Sequence, residues 1–342
     1  MRVALALSLT VSSGLVGASA VAASNAIAAP SALVKVVQGP PYAFDNITAI
    51  ASNGAYVWAV STSNNSVTEL KAGSGAVISV LKDKKFDFEG PERLSDDWTH
   101  VWVANDAGNS ITELNANTGK LIAVIKGSSY KLHGTGFVTS NGVDVWISNL
   151  RGNELSEISA STGAYIQSIT TKSLGIAQIN NLTSDAKHVW AVDSLTNTVV
   201  EFEAGSGRLT TVLKGSAYRL DGPLAITTDG DHVWIASSRS NSLTEVNAES
   251  GAFIRFIHGA QYGLSVVSAI TSSGSDVWVT SLGTSGPTGT TVSEITAATG
   301  KVVRVLSGAQ YHFDLSNAIT FIGNRVWVVN QGSNSLTELS AN

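Results

Sequence analysis

The chain of 342 residues contains no cysteine. That excludes disulfides, thiolate metal ligands, a cysteine nucleophile and a lipid-modified N-terminal cysteine. Charge is scarce as well. Asp, Glu, Lys and Arg make up 14% of the residues, and the formal balance is −5. The first 28 residues hold one arginine and no acid, so their removal would leave 20 basic against 26 acidic residues. Nucleic acid and anionic membrane both reward clustered Lys and Arg, so neither is expected as a partner. The densest basic run, Lys82-Asp83-Lys84-Lys85, is answered by Asp87, Glu89 and Glu92 and reads as a solvated loop. Beyond the N-terminus no apolar run is long enough to span a bilayer. No G-x-S-x-G, Walker A or Rossmann glycine pattern stands in the right context. The six histidines show no H-x-x-x-H spacing, so no metal and no cofactor are expected. A metal site assembled from distant segments is the alternative.

At the N-terminus, Arg2 precedes an apolar, small-residue run over 3–21, and Ala18-Ser19-Ala20 and Ala26-Ile27-Ala28 both fit an A-x-A cleavage site. This predicts a signal peptide over 1–28, cut after residue 20 or 28, and a secreted or cell-surface protein. A retained anchor is the alternative reading.

The rest of the chain is organised around one repeat. Val57-Trp58, followed by Val67-Thr68-Glu69-Leu70, returns around Trp102, Trp146, Trp190, Trp234, Trp278 and Trp327. Five successive intervals are 44 residues. The last is 49, because the segment 282–291 is longer. Seven copies of a Val-, Ile- and Thr-rich unit of this length predict an all-β, seven-bladed β-propeller with four-stranded antiparallel blades. The whole of 33–342 reads as one domain, with blades over 46–81, 90–125, 134–169, 178–213, 222–257, 266–306 and 315–339. The last blade lacks an outer strand of its own. Residues 33–50 match 302–319 position for position, including Tyr42/Tyr311 and Phe44/Phe313. Residues 33–37 should therefore complete it and close the ring.

Within each unit the Val-Trp strand does not alternate with polar residues, so both its faces should be buried between neighbouring blades. Asn53-Gly54, Asn141-Gly142, Asp229-Gly230 and Ser273-Gly274 suit type I′ hairpins. The seven tryptophans read as core, with ligand-stacking platforms as the alternative. Trp98 replaces a turn glycine and should be exposed. The seven glutamates Glu69, Glu113, Glu157, Glu201, Glu245, Glu294 and Glu338 are too regular for catalysis, which needs one or two carboxylates in distinct environments. They predict a repeated structural bond. His100, His188 and His232 share a variable position and should lie exposed on a hairpin. The linkers carry a recurring aromatic, Tyr42, Phe86, Tyr130, Tyr218, Tyr262 and Tyr311, which becomes Leu174 in the fourth copy.

The pattern Val-Trp-Val-Ala-Asn…Asn-Ser-x-Thr-Glu-Leu-x-Ala-x-Thr-Gly over 101–119 resembles bacterial secreted propellers of the NHL and YVTN type. It is also similar to the repeat of streptogramin (virginiamycin B) lyases. The resemblance covers 33–342 and implies the fold. For the lyases it further implies metal-associated His and Glu at the centre of one face. At the start of the inner strands this chain has Thr48, Glu92, Gly136, Asn180, Leu224, Ser268 and Asn317, with no histidine among them.

A site should lie where the repeat is broken. The position held by Ala49, Ala225, Ala269 and Ala318 becomes Arg93, Phe137 and Asn181 in three consecutive units. Glu92 and Asn180 stand beside them, and Arg151 and Asp193 come from neighbouring loops. These seven residues are the candidate ligand-binding set, at a channel mouth on the face of the longer loops. An internal Glu92–Arg93 ion pair that fills the mouth is the alternative, and 282–291 is a candidate lid. The expected protein is a monomeric, non-enzymatic binding module for a protein, peptide or glycan. A metal-dependent lyase or hydrolase, and a purely structural repeat, are the alternatives.

Overall fold

A computed structural model describes residues 32–283 and 289–341. The expected signal peptide and the middle of the 282–291 segment lie outside the described residues. β1 is Leu33–Gln38. Blade 1 follows as β2 to β5 (Ile47–Ser52, Tyr56–Ser61, Ser66–Lys71, Val77–Leu81). Blade 2 is β6 to β9 (Pro91–Asp96, His100–Asn105, Ser110–Asn115, Leu121–Lys126). Blade 3 is β10 to β13 (Thr135–Ser140, Asp144–Asn149, Glu154–Ser159, Tyr165–Thr170). Blade 4 is β14 to β17 (Asn181–Ser184, His188–Asp193, Thr198–Glu203, Leu209–Leu213). Blade 5 is β18 to β21 (Pro223–Thr228, His232–Ser237, Ser242–Asn247, Phe253–His258). Blade 6 is β22 to β25 (Val267–Ser272, Asp276–Ser281, Thr291–Thr296, Val302–Leu306). β26 to β28 (Ala318–Ile322, Arg325–Asn330, Ser335–Ser340) begin blade 7.

Each sheet is four-stranded and antiparallel, and β1 pairs with β28 to finish the seventh. The ring is therefore closed by the N-terminal strand, with Val36 opposite Thr337 and Val37 opposite Leu336. Among the described residues no helix is long and apolar enough to cross a membrane.

The core lies between neighbouring sheets. All seven repeat tryptophans are 0% exposed. Trp58, Val60 and Val67 of blade 1 pack with Leu94, Val101 and Val103 of blade 2. Truncating one such indole to alanine would cost about 3–5 kcal/mol. Polar stitches align the blades. Thr68 donates to the Tyr42 carbonyl at 2.7 Å, and Thr112, Thr244 and Thr337 repeat this bond to Phe86, Tyr218 and Tyr311. Asn65, Asn109, Asn197, Asn241 and Asn334 sit at positive φ, where short amide side chains are tolerated. Each accepts a backbone N–H from the next blade's linker, as in Gly134 N–H to Asn109 at 2.6 Å.

Two local expectations are corrected. The hairpins centre one residue later than the Asn-Gly reading, on Gly54-Ala55 in blade 1, and of that pair the glycine alone has positive φ. That is the requirement of a type II′ turn rather than type I′. The Asn53 side chain accepts the Ala55 and Tyr56 amides, which fixes this geometry. The histidines before the tryptophans are not freely exposed either. His188 is 9% exposed and lies between Asp185, 3.1 Å away, and Glu201, 3.6 Å away. His100 and His232 repeat the arrangement with Asp97/Glu113 and Asp229/Glu245.

Candidate functional site

The seven inner strands enclose a central channel with a volume of about 580 Å³. Its wall is mostly small or aliphatic, because Ala, Ile, Ser and Thr recur at the channel positions of each blade. The symmetry breaks in one sector. Arg93 on β6 lays its guanidinium 4.8 Å from the centre of the Phe137 ring on β10. Arg93, Phe137, Asn180 and Asn181 all line the channel.

The Arg93 Nη1 donates to the Glu92 carbonyl at 3.0 Å and to the Thr48 carbonyl at 3.4 Å. Its hydrogen bonds thus go to backbone oxygens rather than to the Glu92 carboxylate. Burial pushes the guanidinium below its ordinary value, and the nearby Glu92 charge opposes that. Arginine remains protonated under any such shift of moderate size. The cation is therefore held in a desolvated wall by a ring face and two carbonyls.

The other candidates go to different places. Asn180 accepts the Ser194 amide at 2.8 Å, and Asn181 accepts the Leu182 amide at 2.8 Å. Glu92 contributes its carbonyl at the rim, accepting Thr48 Oγ1 at 2.8 Å. Arg151 stands away from the channel. It reaches Asp106 at 3.5 Å and borders a separate groove with Asn109, Lys126 and His133. Asp193 is fully buried. It accepts the amides of Ala177, Gln178, Leu195 and Thr196 and so organises the linker that lost its aromatic.

Sequence reasoning passed over the lower part of the channel. Asp96 occupies the position of Ser52, Ser140, Ser184 and Ser272, and its Oδ1 accepts the Trp98 amide at 2.8 Å. Its Oδ2 is sealed from solvent and has no partner. The cause is legible in the repeat. Ser184 meets Thr139 of the preceding blade at 2.8 Å, and Ser52 meets Thr320 at 3.2 Å. The residue preceding Asp96 in this scheme is Ala51, which has no hydroxyl. Desolvation, the main cause, raises the Asp96 carboxyl to about 6. Trp98, 68% exposed and at positive φ, rests its ring over Gly54. Among the described residues no group of three His, Asp or Glu side chains is placed to hold a metal ion.

No protein-family model matches the chain, and no curated protein matches it. Solved structures do. Virginiamycin B lyase from Staphylococcus aureus superposes with a TM-score of 0.71 at 17% identity, covering 90% of this chain and 99% of that one. U3-55K superposes with a TM-score of 0.70 at 10% identity, covering 90% and 98%. The Cps50 (Swd1) β-propeller domain of Myceliophteria thermophila gives 0.70 at 10% identity, covering 92% and 100%. At these identities the likeness is one of fold.

Proposed function

We propose that this chain is an exported, non-enzymatic propeller that binds a protein, peptide or glycan on the loop-bearing face, with the channel mouth as its specific site. One observation carries this reading: the Arg93–Phe137 stack in a channel wall that is alanine in four other blades. A repeat retains alanine there for packing. A charged side chain held in that wall with its hydrogen bonds on carbonyls rather than a carboxylate serves something else. Asn180 and Asn181 stand in the same wall, with Glu92 at the rim. Arg151 and Asp193 support neighbouring loops in this reading. Structural neighbours with names as different as a lyase and U3-55K are consistent with a scaffold whose role is set by its surface.

The experiment is a screen of the immobilised 33–342 chain against a glycan array and a displayed peptide library, alongside the Arg93→Ala/Phe137→Ala double variant. Binders that the double variant loses support the reading. Binders that survive it but are lost on trimming 282–291 move the site to blade 6. Turnover of a streptogramin lactone by the purified chain, abolished by a chelator, overturns the non-enzymatic reading.

A further inference from the structure

The broken sector of the channel offers hydrogen-bond donors, and we infer that it is a binding site for a carboxylate group. This deepens the proposed function and rests on the same site, though not on the class of macromolecule that carries the group.

An amide side chain has one acceptor oxygen and one NH2 donor. A backbone N–H can only donate, so the oxygens of Asn180 and Asn181 must face the Ser194 and Leu182 amides that they accept. Amide orientation at these two positions is thereby set by chemistry. Each oxygen is engaged, and each Nδ2 is left to donate. Arg93 has no acceptor at all. Its Nη1 is engaged by the Thr48 and Glu92 carbonyls. Its Nε and Nη2 are not among the sealed, unpartnered atoms of the structure, and the residue that carries them lines the channel. The side of the guanidinium against Phe137 is covered by the ring, which leaves an edge for a ligand.

A planar fork that lines the same channel as two amide donors is the complement of a carboxylate, which accepts two parallel N–H bonds. The surroundings favour an anion over a neutral acceptor. The guanidinium is desolvated and hydrogen-bonds no carboxylate, the nearby Glu92 charge acting on it without a bond, and an entering anion would meet it where water screens little. Asp96, the carboxyl of this wall, lies three residues along β6, roughly 10 Å away at strand rise. Its Oδ2 is turned from solvent, so it does not occupy the fork.

The test uses small acids as probes on the 33–342 chain: N-acetylglycine against N-acetylglycinamide, and glucuronate against glucose. Binding is followed by calorimetry and by the arginine Nε–H resonances. The acids should bind with dissociation constants in the millimolar range, shift one arginine resonance, and be weakened at least about tenfold by Arg93→Ala. Asn181→Ala should weaken them by a smaller factor, about threefold. Both variants install the residue that other blades carry, so folding is expected, and unchanged melting curves check it. Equal binding of acid and amide overturns the inference, as does binding that Arg93→Ala leaves intact. Sulfate binding more tightly than either acid overturns the assignment to a carboxylate. N-acetylglycine binding without glucuronate points to a chain-terminal carboxylate, and the reverse to an acidic sugar. Acid binding at Arg93 with no capture in the glycan and peptide screens would keep this inference and sink the scaffold reading. Capture that ignores Arg93 would do the opposite.

Discussion

Blades 5 to 7 and blades 2 to 4 are built from the same repeat, but they treat the channel differently. Blades 5, 6 and 7 place Ala225, Ala269 and Ala318 at the inner position, and the residues they contribute to the channel wall are uncharged. Blades 2, 3 and 4 place Arg93, Phe137 and Asn181 there, and the first two stack across the seam. The second group also carries Asp96, Trp98 and the remade linker around Asp193. The fold persists through all of these changes, because the Val-Trp strands behind them hardly vary and the hydroxyl and Asn stitches recur in most blades. The residues that build a blade and the residues that face the channel are therefore separable.

The buried glutamates teach the same lesson from the other side. Each stands directly across from a repeat tryptophan, as Glu69 does from Trp58. Ten residues on, the outer strand offers Ser79 to Glu69 at 2.8 Å and Gln167 to Glu157 at 2.6 Å. Arg255 and Arg304 pair with Glu245 and Glu294, and Lys35 of β1 pairs with Glu338 at 3.0 Å. In blades 2 and 4 that outer position is Ala123 or Thr211. There His100 and His188 approach the glutamate instead. Variation in this layer is compensated within the blade. Variation in the channel sector is not.

The largest break would remove what both sectors share. Deleting residues 33–38 strips β1 from blade 7, bares the edge of β28 and removes the Lys35–Glu338 pair. The expected outcome is a fall of tens of degrees in the melting midpoint, or insolubility. A deletion variant that melts with the parent would show that β1 is dispensable.

Next comes a contrast between two histidines. His188→Ala should destabilise by about 2–3 kcal/mol, since it leaves the buried Glu201 without its neighbour. His232→Ala should cost less, about 1 kcal/mol, because Arg255 stays on Glu245. Urea denaturation of the two variants measures this. Equal losses would refute the compensation argument.

Asp96→Ser acts in the opposite direction. The serine is what most blades carry, and Ser140 shows that it can accept the same turn amide. Asp96 is raised from 3.8 to about 6 in the fold, so its ionisation opposes folding. That penalty is complete above pH 6 and fades as pH falls toward 4, where the unfolded chain also becomes protonated. The variant should therefore gain about 1–2 kcal/mol at pH 7.5, allowing for partial exposure, and nothing at pH 4. A gain that is the same at both pH values would mean that the charge is not its source.

The smallest effect on stability should come from the Arg93→Ala/Phe137→Ala variant. Both positions revert to the repeat residue, so the melting temperature should stay within a few degrees while ligand binding disappears. A large loss of stability would show that the stack is part of the frame.

The sequence alone determined the blade count, the closure by 33–37 and the burial of the tryptophans. Those features are local and repeat, and each copy confirms the others. Tertiary structure decided which departures from the repeat meet. Arg93 and Phe137 are 44 residues apart in the chain and become neighbours because adjacent blades set the same strand position side by side. Arg151 and Asp193 depart from the repeat just as visibly, yet one goes to a peripheral groove and the other into a buried linker. Side-chain direction separates these cases, and direction follows from the packing of a residue's neighbours rather than from its own identity.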